Sequence, residues 1–140
     1  PDHAPRLSPE HGVLWDQIRP LLGGEARFKP PRVNELAEAL RRRDETVRGL
    51  AKRLARRGDL LEVAPDHFLL REAVAELAAA AFATAEVQPD GWFTAAHYRD
   101  RIGGGRKMAI LILEFLDRQG LTIRRGDQRR VDPRRAGMFG

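Results

Sequence analysis

Laid against itself at an offset of 61 residues, the chain aligns its two halves without a gap, and this self-similarity constrains the fold more than any single motif. Val47, Leu50, Ala51, Leu54 and Ala55 follow the i, i+3, i+4, i+7, i+8 stripe of a helix with one buried face. Met108, Leu111, Ile112, Phe115 and Leu116 repeat that stripe in the second half. Past the first stripe come Gly58, the apolar run Leu60 to Val63, a Pro65-Asp66 turn and His67 to Leu70, a pattern that predicts a β-hairpin. The second copy offers Leu121 to Arg124, the turn Gly126-Asp127, and Gln128 to Val131.

Upstream, Pro9 to Leu22 carries Val13, Leu14, Ile18, Leu21 and Leu22 on one side and stops at Gly23-Gly24, so a first helix is expected there. Its counterpart runs from about Glu72 to Val87. A short helix follows in each copy, Val33 to Leu40 and Thr94 to Ile102, with Thr94 placed to cap the second. Three helices and a hairpin, with a tight turn between helices two and three, make a helix-turn-helix extended by a wing. The expected fold is therefore mainly α with small β-hairpin wings, a tandem winged-helix protein with one domain over 1–70 and another over 71–140. Trp15 and Trp92 are expected to anchor a core or an interface.

Residue usage removes most catalytic classes. With no Cys among the 140 residues there is no disulfide framework, thiolate zinc site or cysteine nucleophile, which fits a reducing, cytoplasmic setting. The sole serine, Ser8, precedes Pro9, so a G-x-S-x-G elbow is absent. His3, His11, His67 and His97 lack metal-ligand spacing. Gly103-Gly104-Gly105-Arg106-Lys107 has no following Ser or Thr, so it is not a P-loop. The longest uncharged stretches, such as Leu77 to Ala85, are too short for a membrane helix. The expectation is a binding module with no enzymatic activity, no cofactor or metal, no small-molecule substrate and no membrane partner.

Charge points to the ligand. The net charge is +5, and from Arg99 onward eleven Lys and Arg face five Asp and Glu, which favours an anionic partner at the second copy. Arg106 and Lys107 open the third helix, where free backbone N–H groups and the helix dipole already attract phosphate. Gly104 and Gly105 before them allow a sugar-phosphate backbone to approach closely. Arg124, Arg125, Arg129 and Arg130 lie on the two predicted strands with Gln128, and strand alternation lets only two or three of the four arginines face the ligand. In the first copy Arg41-Arg42-Arg43 and the stripe Arg48, Lys52, Arg56 are diluted by Asp44 and Glu45 and read as a solvated helix face. Tyr98 is either a stacking residue or core, since its helix needs a large apolar side chain.

Tyr98-Arg99-Asp100-Arg101-Ile102-Gly103, then Arg106-Lys107 with Ala109-Ile110, and Leu113 to Thr122 closely resemble the C-terminal end of the bacterial selenocysteine-specific elongation factors, the SelB family. The resemblance covers the whole chain, with its strong motifs in 97–130, and implies the last two of four winged-helix domains. It implies binding of the SECIS hairpin of a selenoprotein mRNA, which tethers the factor beside an in-frame UGA codon. It makes the ribosome a further candidate partner and assigns GTP binding to other parts of the family's chain. Carried over by position, the implied contacts are Arg99 and Arg101 on helix two, Arg106 and Lys107 on helix three, and Arg124 with Gly126 in the wing. Where family members often have Thr-Arg-Arg this chain has Thr122-Ile123-Arg124, so one expected basic residue is apolar.

The rival is a winged-helix DNA-binding transcriptional regulator with helix three in the major groove. Against it stand Glu114 and Asp117, read as lying on the exposed side of that helix, and the lack of a recognisable dimerisation helix, from which a monomer is expected. A third reading makes the tandem domains a rigid spacer. An RNA major groove is too narrow to admit a helix, so a compact surface of helix N-terminus and wing suits a hairpin loop.

Overall fold

The structure, a computed structural model, describes residues 6–140; His3 lies outside the described residues. The chain divides into two compact units, the first ending at Ala73 and the second beginning at Val74.

In the first unit, α1 (Pro9–Leu22), α2 (Val33–Leu40) and α3 (Asp44–Arg57) precede the hairpin of β1 (Leu60–Ala64) and β2 (His67–Leu70). Ser8 caps α1 by accepting a hydrogen bond from the His11 amide, and Gly23 closes the helix. Leu14, Trp15, Ile18 and Leu22 form the buried face of α1, and they pack with Val33, Leu36, Val47, Leu50, Leu54, Leu60 and Phe68. Val13 is 58% exposed and Leu21 38%, which corrects the sequence-based face of this helix. At 100° per residue, Trp15 draws the buried arc away from Val13, and Leu21 sits at the arc's edge. The β1–β2 turn places Asp66 at φ 58°, a left-handed position that Asp tolerates because its short polar side chain bonds locally.

His67 is buried at 4% exposure where β2 meets the start of α2. Burial chiefly holds its pKa below the ordinary 6.5, and the nearby Arg32 and Lys29 push the same way, while Glu35 and the Pro30 carbonyl oppose them. As pH falls below about 6.5, the unfolded chain therefore takes up this proton before the folded one does, and stability drops until the pH passes the folded value. Thermal melts from pH 7.5 down to 5.5 are expected to show a falling Tm that is clearly flatter in His67→Leu. Parallel curves for the two proteins would remove His67 as the cause.

The second unit contains most of α4 (Arg71–Glu86), then β3 (Phe93–Thr94), α5 (Ala95–Ile102), α6 (Arg106–Arg118), β4 (Thr122–Arg125) and β5 (Gln128–Val131). β2 and β5 begin 61 residues apart, at His67 and Gln128, as the repeat requires. The second unit departs from the first in β3, which pairs antiparallel with β5 and gives a three-stranded sheet of order β3-β5-β4. Thr94 caps α5 by accepting from the His97 amide, while His97 Nδ1 accepts from the Thr94 amide. Met108, Ile112, Phe115 and Leu116 are buried along α6, and Leu111 is only partly so. Tyr98 is fully buried, its hydroxyl donates to the Leu77 carbonyl at 2.8 Å, and burial pushes its pKa up. Tyr98 is therefore core and not a stacking residue. No helix of the described residues is long and apolar enough to cross a membrane.

Candidate nucleic-acid interface

The turn between α5 and α6 is built by glycine. Gly103 and Gly104 sit at φ 76° and 84°, a left-handed region where side chains are strained, and a Cβ on Gly104 would lie 2.8 Å from Met108 Cε. Gly105 is the N-cap of α6 and offers no side chain to bond the first amides. No N-cap side chain bonds the amides of the first turn, and the positive end of the helix dipole lies behind them.

Arg106 and Lys107 follow directly, both exposed, and neither has an ion-pair partner among the described residues. The repeat sharpens the contrast, because Glu45 and Thr46 occupy the equivalent positions of α3. Arg101 is exposed near the end of α5, while Arg99 is 37% exposed and donates to Asp100 at 3.3 Å. A pair this open contributes little and leaves the guanidinium available.

In the wing, Arg124, Arg125, Gly126, Gln128 and Arg130 are exposed. Gly126 takes φ 62° at the turn, and Arg124 Nε donates to its carbonyl at 2.8 Å, which orients that side chain at the tip. Arg129 does not belong with them. Its side chain is 5% exposed and forks onto Asp117, with Nε 3.1 Å from both carboxylate oxygens and the terminal nitrogen 2.9 Å from Oδ2. Thr122 donates its hydroxyl to the same carboxylate. Register and strand order together explain the correction, since Arg129 shares a face with Phe93, Thr122 and Arg124 but lies on the central strand β5, whereas Arg124, on the edge strand β4, stays exposed. Asp117 is corrected with it: only 23% exposed, it is the inner anchor of both wing strands, and Glu114 alone of the two acids is exposed.

In the first unit two of the three cations of the α3 stripe, Arg48 and Lys52, are neutralised internally, while Arg56 is exposed. Arg48 donates to both Asp66 oxygens at 2.9 and 2.8 Å, and Lys52 to Glu62 at 2.7 Å. The hydrogen bonds from Arg48 hold the Asp66 carboxyl below its ordinary value. These side chains tie helix to hairpin, whereas Arg106 and Lys107 at the start of α6 face solvent.

A family model described as the winged helix of elongation factor SelB matches residues 86–131. The selenocysteine-specific elongation factor of Escherichia coli (strain K12) is 34% identical over 127 residues, which is 91% of this chain and 20% of that protein. A solved structure of the mRNA-binding domain of elongation factor SelB from E. coli, in complex with SECIS RNA, superposes with a TM-score of 0.78 at 30% identity, covering 89% of this chain and 98% of that one. The chain belongs to the SelB family. It spans about a fifth of the length of its full-length E. coli SelB relative. The SelB winged-helix match spans β3, α5, α6, β4 and β5, the elements that carry Arg99, Arg101, Arg106, Lys107, Arg124 and Arg125.

Two candidate residues are not singled out by the sequence. Trp92 reads there as a core or interface anchor, and Arg130 does not separate from its neighbours. In the structure the Arg125 guanidinium lies 5.1 Å and that of Arg130 5.4 Å from the centre of the Trp92 ring. The signal that could have found them is β3, whose two residues are too few to show alternation.

Proposed function

We propose that this chain binds a SECIS-type mRNA hairpin through its second unit and so tethers a selenocysteine-specific elongation factor to the message for UGA recoding. The observation that carries the proposal is the likeness, over nearly the whole length of that chain, to a SelB domain held in complex with SECIS RNA. The uncapped, cation-flanked N-terminus of α6 and the exposed wing arginines support it. Arg99, Arg101, Gly104, Gly105, Arg106, Lys107, Arg124, Arg125, Gly126 and Gln128 are the proposed contacts. In this reading backbone phosphates meet the helix N-terminus and looped-out bases meet guanidinium planes. The chain works as a monomer, in the cytoplasm, as a non-catalytic module without a cofactor of its own. The ribosome is a second partner in the same step, and the nucleotide chemistry belongs to the remainder of the family's protein.

The test is a fluorescence-anisotropy titration with a labelled SECIS-type hairpin from a selenoprotein message of the same organism, a scrambled-loop hairpin and a DNA duplex of equal length, at two salt concentrations. Binding that persists at the higher salt and is lost with the scrambled loop is expected. Equal, salt-sensitive binding to all three would return the chain to a generic basic surface or a DNA-binding role.

A further inference from the structure

The three-stranded sheet has two faces, and only the inner one is explained by packing. β5 pairs Arg129 with Phe93 and Gln128 with Thr94, and continuing this register one residue past the start of β3 places Trp92 beside Arg130, whose guanidinium lies 5.4 Å from the ring centre. On the other edge of β5, Arg130 faces Ile123 and Gln128 faces Arg125. Alternation therefore puts Trp92, Arg130, Ile123, Gln128 and Arg125 together on the outer face, opposite buried Arg129 and Phe93. Ile123 is 42% exposed there and Trp92 is half-buried.

Trp92 lies beside β5, yet the guanidinium of Arg125 on β4 reaches its ring as that of Arg130 does. One indole thus holds cations from both wing strands, and among the described residues neither cation has a carboxylate partner. A guanidinium laid on an indole loses water from one face but keeps its N–H edge free, and a planar fork held in place forfeits less rotamer entropy when it grips a phosphate. The carboxylate-neutralised Arg48 and Lys52 of the first unit show the alternative, in which cations fasten the hairpin to its helix.

We propose that Trp92 is a positioning residue for RNA. It holds Arg125 and Arg130 on the outer face of the wing sheet as a phosphate-gripping site separate from the N-terminus of α6. The inference rests on the hairpin-binding reading and adds a second contact surface to it. Trp92 does not itself read a base, because its ring carries the two guanidiniums.

The test uses the whole chain with Trp15→Phe, which leaves Trp92 as the only tryptophan. Hairpin titrations follow both anisotropy of the label and tryptophan emission. Emission is expected to change with the same midpoint as anisotropy. Trp92→Leu weakens binding roughly three- to tenfold, and Trp92→Phe recovers most of that loss. Arg125→Gln and Arg130→Gln each lower the slope of log K against log salt by about 1. Arg130→Gln costs less affinity in the Trp92→Leu background than alone, which is the signature of a ring acting through the arginine. If Trp92→Leu fails to fold, Trp92→Phe and the two exposed arginine variants carry the same comparison. Hairpin binding with flat emission, unaltered salt slopes or additive losses would overturn this proposal alone. Absence of hairpin binding by the parent chain would overturn it together with the function on which it rests.

Discussion

Replacing Arg106 and Lys107 together with alanine is expected to weaken hairpin binding about a hundredfold, while each single substitution costs roughly 1 to 3 kcal/mol. Both side chains are exposed and unpaired, so their removal disturbs no packing within the fold, and the Tm should stay within about two or three degrees of the parent. The large effect on binding comes from where the charges stand. They flank amides that no side chain caps, on a turn whose glycines keep the approach open, so a phosphate seated there meets N–H groups, the helix dipole and two cations at once. Titrations at several salt concentrations check the mechanism, because removing two phosphate-binding cations should reduce the salt slope by about 2. A hundredfold loss of affinity with an unaltered slope would mean that the pair reads bases, and unchanged affinity would remove the α6 N-terminus from the interface.

The repeat makes this position legible in the sequence. A stripe of apolar residues recurring at a fixed offset locates equivalent helices, and the same offset shows where copy two replaces Glu45 and Thr46 by Arg106 and Lys107. The hairpin turns and the Thr94 cap are legible for a similar reason, since turns and caps are set by few residues acting locally. The wing is harder to read. Alternation divides Arg124, Arg125, Arg129 and Arg130 between two faces, but which face turns inward depends on β3, a strand of only two residues that comes from well upstream and pairs Phe93 against Arg129. An arginine that ends up buried carries no mark of it in the local sequence, and its partner, Asp117, looks like any charge on an exposed helix face. Trp92 reads as an anchor for the same reason: composition says that a tryptophan wants contacts, and only strand register shows that its contacts are guanidiniums.

Asp117→Asn is expected to be the most destabilising polar substitution in the second unit, by about 3 kcal/mol, because it leaves the Arg129 guanidinium buried without a counter-charge. For a unit of this size that corresponds to a Tm lower by more than about ten degrees, measurable by calorimetry or circular dichroism. The cost falls on the wing first. Asp117 accepts from Thr122 at the start of β4 and from Arg129 within β5, so one carboxylate on α6 fastens both strands that carry the exposed arginines. Hairpin affinity at a temperature where the variant remains folded should therefore also fall, although no proposed contact has been touched. The repeat indicates how stability can be restored, for the position 61 residues before Arg129 is Phe68, 2% exposed in an apolar core. Replacing the pair together, Asp117→Leu with Arg129→Met, should recover part of the stability, since an apolar pair of similar volume removes the unpaired charge and leaves only the Thr122 hydroxyl without its partner. If Asp117→Asn melts with the parent, the buried ion pair does not hold the wing. If the double replacement melts as low as the single one, the destabilisation comes from packing at that site and not from an unpaired charge.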